Sequence, residues 1–426
     1  MQPLVMVSSF PPRLCGIGTF AEEALEFIHK AMPERPVVVV THTDGGDGIH
    51  SEYEFHPIID LSRPDWYVPV AEKLHELDPY AVHIQHEYGL YNYVDPDGHG
   101  DFNAGFVKLL EEIRDLPTIV EPHTVHGRMF PEEQRFICNV AELCSVLLFK
   151  CDYQKWRLEW VLNQQDIPVP KNITIVPHGA RPDRRYDPYA VDQIKEELGL
   201  QDLIGKRLAG LVGWIQNNKR WDIATNVWPE VAELIRLQTG EEWCLFAAGA
   251  MRDPNHRRDF EYYVTEIRKL EERGLARFYE FIPRGELYYK VMALCDFVIL
   301  PTLDETQSGT LARIISLNKP YITTAPLEGL TAQTVESEGG LLFTNRWTFK
   351  RRILRLATNE DLRWHLGEKL KRYLNNRVSW HLIAKQYIEC YELAREARQH
   401  DTQVQCPSEF TSNGSKACAI PIETIA

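Results

Sequence analysis

At 426 residues the chain is too long for one ordinary core, so two domains are expected. Its composition is globular, with 44% hydrophobic, 25% charged and 11% aromatic residues, and no run of 18 apolar residues is present to span a membrane. A formal charge of −14 argues against nucleic acid as a partner, and nine scattered cysteines without a CxxC pair point to reduced thiols in a cytoplasm.

In chain order, "PLVMVSS" (3–9) reads as a first strand, since it lacks the basic stretch and small-residue cleavage site of a leader. "FPPRLC" then stiffens the chain before Gly16-Ile17-Gly18, and the helical pattern "GTFAEEALEFIHKAM" follows. Further apolar runs are "RPVVVVTH" (35–42), "AVHIQHE" (81–87) and "PTIVEPH" (117–123), with the helical "FNAGFVKLLEEIRDL" (102–116) between the last two. The pattern pauses at "VPHGARPDRRYDPYA" (176–190), rich in Pro, Asp and Arg, and the domain boundary is placed there. It restarts with "RLAGLVGW", "WCLFAAG", "ARFYEFI", "DFVILP" and "PYITTA", the helical "EYYVTEIRKLEERG" lying among them. Strands that are apolar throughout and alternate with helices imply parallel sheets covered on both faces.

The fold class is therefore α/β, with two doubly wound, Rossmann-like domains facing a central cleft. The boundaries are 1–180 and 181–378, with a long last helix, 379–399, and a disordered or weakly packed tail over 400–426. From Arg346 to Arg377 ten Lys/Arg stand against three acids. A solvated helical face accounts for that bias, and a docking surface for anionic lipid or a partner is the alternative. Peripheral membrane contact stays open on that ground.

Residues 16–21, "GIGTFA", fit G-x-G-x-x-A, the dinucleotide fingerprint, so an NAD-dependent oxidoreductase is one alternative. Two features oppose it. "FPPRLC" separates the first glycine from the strand, and "VVVVTHTDGG" has no acid at the end of the second strand. The physical content survives without that cofactor: glycines admit a ligand close to the backbone, and a helix start at Thr19 offers N–H groups to a phosphate or sugar. A tight turn alone is the plainer explanation.

"QHEYG" (85–89) and "EPHTVHG" (121–127) each follow a strand, where binding groups gather in open parallel sheets. His83, His86, His123 and His126 suggest a metal site. However, "HIQHE" is not HExxH, and residues three apart on a strand point to opposite faces. His123 and Glu87 gripping sugar hydroxyls fits better. Lys219 in "GWIQNNKRW" suits a phosphate, although a solvated loop lysine is the plainer alternative. In "LPTLDETQSGTLARIISLNKP" (300–320), Asp304-Glu305 end a strand, Thr306 or Ser308 can cap a helix, and Gly309 exposes its first N–H groups.

Taken together, "FPPRLCGIGTFAEEAL … IQHEYG … EPHTV … IVPHG … GWIQNNK … DETQSGTLAR" resembles the glycosyltransferase family 4 enzymes of GT-B fold, over residues 4 to about 395. The resemblance implies a retaining, metal-independent hexosyltransferase. It would use a nucleotide diphosphate sugar, with GDP-mannose and UDP-glucose the leading donors, and a saccharide or lipid-linked hydroxyl acceptor. It implies that Gly16 and Gly18 lie by the donor diphosphate and acceptor, and that His123 touches the donor sugar. Lys219 would hold the diphosphate and Glu305 the sugar hydroxyls, with Gln307, Ser308 and Gly309 presenting backbone. Ile17, His86, Glu87, Tyr88 and His178 would line the acceptor side, and "VPHG" (176–179) would lead into the hinge. The last helix would cross back onto the first domain.

The chain departs from the family twice. Trp214 stands where the family often has arginine, and Arg313 stands where a second glutamate usually accepts the ribose hydroxyls. Arginine has no acceptor, so Arg313 is expected either to replace the lost cation at the diphosphate or to serve the surface. Sugar phosphorylases and nucleotide-sugar epimerases of the same fold class remain alternatives.

Overall fold

The structure, a computed structural model, describes residues 1–46, 50–126, 129–184, 186–187, 190–303, 307–325, 328–400, 402 and 404–406. The chain divides into two compact units, Met1–Gly179 with the segment that starts at Trp380, and Ala180–Ser379.

Unit 1 runs β1 (Leu4–Val7), α1 (Gly16–Ala31), β2 (Val37–His42), β3 (Glu54–Ile59), α2 (Tyr67–Leu77) and β4 (Ala81–His86). It continues with α3 (Ala104–Glu112), β5 (Thr118–Pro122), α4 (Pro131–Leu143), β6 (Val146–Phe149), α5 (Asp152–Asn163) and β7 (Ile173–Ile175). Unit 2 begins with α6 (Val191–Glu197), β8 (Arg207–Val212), α7 (Trp221–Thr239), β9 (Trp243–Gly249), α8 (Arg257–Glu271) and β10 (Ala276–Glu280). There follow α9 (Gly285–Ala293), β11 (Phe297–Leu300), α10 (Gly309–Ser316), β12 (Tyr321–Thr324), α11 (Glu328–Ser337), β13 (Gly340–Phe343), α12 (Arg346–Thr358) and α13 (Glu360–Tyr373). The last helix, α14 (Trp380–Gln399), belongs to unit 1.

The first sheet has the order β3-β2-β1-β4-β5-β6-β7 and the second β10-β9-β8-β11-β12-β13. Neighbouring strands pair in parallel, with Leu4 opposite Val37 and Ala81, and Arg207 opposite Trp243. Parallel strands need both faces covered, and β1 shows how the sequence provides this. Leu4 and Met6 pack on one face with α1 and α14, whereas Val5 and Val7 pack on the other with α2 and α3. Along α14, Trp380, Ile383, Ala384, Tyr387, Cys390, Tyr391, Ala394 and Ala397 are buried, three or four apart, the spacing of one helical stripe.

Three features differ from expectation. The helix α1 starts at Gly16, so both glycines lie in its first turn and not on a preceding loop. Four strands, β3, β6, β7 and β13, went unread, and three of them are sheet edges. The edge strand β3 carries Pro57 and is half exposed, so it lacks the continuous apolar signature. Finally, the segment expected as a loose tail is packed where it is described: Val404 is buried and the Cys406 N–H donates to the Lys171 carbonyl (3.1 Å).

Candidate functional site

Each sheet reverses its winding direction once, between β1 and β4 in unit 1 and between β8 and β11 in unit 2. Ligands in open α/β sheets bind beyond the carboxyl ends of the strands at such points. In unit 1 the turn into α1 and the His86-Glu87 segment flank this position. In unit 2 the turn carrying Lys219 follows β8, and residues 301–303 follow β11.

In unit 1, β1 leads through buried Ser8, Ser9 and Phe10 to α1, whose first turn has no side-chain cap. A Cβ on Gly18 would come within 3.3 Å of the Phe10 and Ser9 backbone, so this glycine lets the helix start pack directly on the strand exit. Gly16 is exposed, with nothing within 4 Å of a Cβ placed on it, and Ile17 is half-buried against the core. One turn later the Phe20 ring meets His123 edge-on (4.7 Å) and His178 edge-on (4.8 Å), while the Lys150 ammonium lies over its face (4.3 Å). The His178 Nδ1–H donates to the Gly179 carbonyl (2.7 Å).

Glu87 caps a single 3-10 turn, Tyr88–Leu90, by accepting from the Tyr88 N–H (3.1 Å). It also accepts from the Thr124 hydroxyl (2.7 Å), which ties the loops after β4 and β5 together. Tyr88 is half-buried, and its hydroxyl lies 3.5 Å from Glu133. The His123 N–H donates to the His86 carbonyl (2.9 Å), and His123 Nε2–H donates to Gln85 Oε1 (2.6 Å). The sequence expectation of His86 at the binding rim does not hold. Its ring is buried among Tyr91, Phe106 and Phe136, and its Nε2–H donates to Asn103 (3.0 Å). Burial lowers it to about 4, against the bond to Asn103, so it is neutral and serves the core.

The four histidines considered as metal ligands do not converge. His83 bonds Glu121 and Tyr391 on the α14 face, His86 lies on the opposite face, and His126 bonds Glu133 (3.0 Å). Among the described residues only Asp95, Asp97 and His99 gather three ligand atoms within 4.8 Å, in a largely exposed loop away from these histidines' sequence motifs. Asp44, the acid nearest the end of β2, is paired with Arg13 (3.0 Å) at the surface.

In unit 2, β8 is followed by Gly213, whose φ of +140° is a glycine conformation and whose Cβ position is crowded by the Tyr288 hydroxyl (2.9 Å). Trp214 and Lys219 are half-buried, Lys219 in the 3-10 turn Asn217–Lys219. The Asn218 carbonyl accepts from the Leu303 N–H (2.7 Å), so this turn is tied to the residue just before 304–306. Glu305, with Asp304 and Thr306, lies outside the described residues.

Ser308 caps α10, its Oγ accepting from the Leu311 N–H (3.3 Å), and Gly309 at the helix start is exposed. Gln307 holds a buried Oε1 with no hydrogen-bond partner among the described residues. Arg313 is buried: its guanidinium donates to the Gly309 carbonyl (2.9 Å) and lies over the rings of Tyr288 (4.8 Å) and Tyr289 (5.5 Å). This places a cation beside the first turn of α10.

Sequence reasoning missed Gln85, Glu121 and Lys150, a buried polar group beneath His123 (0% exposed for Gln85 and Glu121). The signal was available. Polar or charged residues inside strands that are otherwise apolar seldom bury without a partner, and Gln85 and Glu121 stand opposite each other in register.

No protein-family model matches this sequence, and no curated protein matches it either. Solved structures do match its fold. Anabaena HepE in complex with UDP aligns over 92% of this chain and 100% of its own, at 14% identity and a TM-score of 0.67. A glycosyltransferase from Rickettsia africae aligns over 92% and 98%, at 12% identity and a TM-score of 0.68. The UDP-forming α,α-trehalose-phosphate synthase of Burkholderia vietnamiensis aligns over 94% and 99%, at 13% identity and a TM-score of 0.67. At these identities the likeness shows the fold: α/β, with two Rossmann-like units, of the GT-B class.

Proposed function

We propose that this chain is a retaining glycosyltransferase of family 4 that moves a hexosyl unit, mannose or glucose, from GDP-mannose or UDP-glucose to a saccharide or lipid-linked hydroxyl. One observation carries this proposal: residues of the family's motifs fall at the turning position of each doubly wound sheet, beyond the strand ends. The fold likeness to HepE, solved with UDP and with UDP-glucose, supports the donor class.

In this proposal Lys219 and the capped start of α10 (Ser308, Gly309) receive the diphosphate, and Glu305 and Gln307 the sugar hydroxyls. Negative charge grows on the departing diphosphate in the transition state. Amide N–H groups and an ammonium fixed in advance stabilise it without rearranging, and losing one such donor costs about 2.7–4 kcal/mol of barrier. The departing oxygen takes the acceptor's proton on the same face, so no protein base is required, and in this proposal the N–H groups and the ammonium neutralise the diphosphate in place of a metal. His123 stands by the sugar, and the acceptor lies along Gly16, Ile17, Gly18, Glu87, Tyr88 and His178.

Thermal denaturation with a panel of nucleoside diphosphates tests the donor class, since a ligand that binds only the folded chain raises its melting temperature by mass action. UDP or GDP should raise it with saturation. If every nucleoside diphosphate leaves it unmoved while NAD raises it, the oxidoreductase alternative is correct.

A further inference from the structure

Beneath His123 runs a chain of buried polar groups that the transfer chemistry leaves unused. Lys150, just past β6, meets the Glu121 carboxylate, and neither side chain has any exposed surface. Glu121 Oε1 also accepts from the Tyr387 hydroxyl of α14 (2.6 Å). Glu121 Oε2 accepts from His83 Nε2 (3.0 Å) and from the Gln85 amide nitrogen (2.6 Å). The Gln85 oxygen in turn accepts from His123 Nε2 (2.6 Å).

We propose that Gln85 and Glu121 are positioning residues for His123, fixing it as the imidazole with its proton on Nε2 and its lone pair on Nδ1. The inventory of donors and acceptors decides each step. An ionised carboxylate only accepts. Burial pushes the Glu121 carboxyl up, but Lys150 and His83 together hold it well below the usual carboxylate range. The Gln85 amide must therefore turn its NH2 toward Glu121, which leaves its oxygen toward His123. That oxygen cannot donate, so His123 Nε2 carries the proton.

Burial and the Lys150 charge hold His123 well below its ordinary value, so the ring is neutral and Nδ1 is its acceptor nitrogen. Among the described residues, the charged or titratable groups acting on it include Lys150 past β6, Glu121 of β5, His178 past β7 and His86 of β4. An acceptor nitrogen takes a hydrogen bond from a hydroxyl and cannot protonate a departing oxygen. Resting on the transferase proposal, the placement of His123 bears on turnover, while the ring's proton pattern is a property of the chain without substrate.

The test is nitrogen-15 NMR of histidine-labelled full-length chain, with His123 assigned by its loss in His123→Gln. The wild type should show the Nε2-protonated ring, staying neutral well below pH 6.5. Gln85→Leu, verified as folded by its melting curve, should show mixed tautomers or a ring that titrates at higher pH. Gln85→Glu, whose carboxyl keeps its proton beside the ionised Glu121, donates to Glu121 as the amide does and leaves an acceptor oxygen toward His123, so it should restore the wild-type pattern. In nucleotide-sugar turnover, Gln85→Leu should lose up to about 100-fold in kcat with donor KM nearly unchanged, the penalty of a misplaced group, and Gln85→Glu should recover most of it. A proton on Nδ1 in the wild type, or identical patterns in wild type and Gln85→Leu, overturns the assignment. The expected patterns without any wild-type turnover would sustain it and remove the transferase proposal.

Discussion

His42 and His86 end β2 and β4, the strands on either side of β1, and bond inward, His42 Nε2–H to the Leu90 carbonyl (2.8 Å) and His86 Nε2–H to Asn103 (3.0 Å). Burial, only partly opposed by these bonds, lowers each to about 4. In the unfolded chain each binds a proton near pH 6.5, so below that pH the unfolded state holds more protons than the folded one. Their contribution is full above 6.5 and is lost as pH falls toward 4, by roughly 3 kcal/mol per ring. Urea unfolding across this range should show stability falling with pH, with a shallower slope in His86→Leu. Equal slopes would mean that His86 titrates normally in the fold. The sequence could not reveal this burial, because "IQHEYG" offers a histidine beside a glutamate and only the aromatic residues of the fold, Tyr91, Phe106 and Phe136, decide which one is enclosed.

At the start of α10, the Arg313 guanidinium is held one turn back, against the Gly309 carbonyl and two tyrosine rings. A cation there complements a bound phosphate better than a ribose, whose hydroxyls require an acceptor. Arg313→Ala should therefore weaken nucleoside diphosphate binding by about tenfold, 1.4 kcal/mol, while nucleoside binding changes little, as calorimetric titration of both would show. Equal losses for the two would assign Arg313 a structural role. Elements were legible where their pattern was long. The helices α1, α8 and α14 carry apolar residues three and four apart, and the central strands β1 and β2 are largely apolar runs buried on both faces. By contrast, β7 spans only Ile173–Ile175, and β6 follows α4 after just Cys144 and Ser145, too short a break to separate strand from helix. The precise helix start at Gly16 was equally hidden, since glycine signals a turn or a close approach without saying which.

Across the molecule one topology occurs twice, a parallel sheet that winds outward from its first strand and then reverses, and this repeat was visible as alternating apolar runs and helices in each half. No helix among the described residues is long and apolar enough to cross a membrane. The basic stretch 346–377 falls on α12, α13 and the turn after them, where Lys350 pairs with Glu230, Lys369 with Glu338 (3.1 Å) and Arg377 with Glu336 (3.1 Å). Those pairs fit a solvated face closed by acids elsewhere in the same unit. The proposed transferase chemistry turns on Lys219 and Glu305. The decisive measurement is release of nucleoside diphosphate from UDP-glucose and GDP-mannose by the wild type, Lys219→Ala and Glu305→Ala, each checked for an unchanged melting curve. Turnover of one donor by the wild type, reduced by about 100-fold or more in both variants, is the predicted result; no turnover of any nucleotide sugar, or turnover unchanged in both variants, would contradict it.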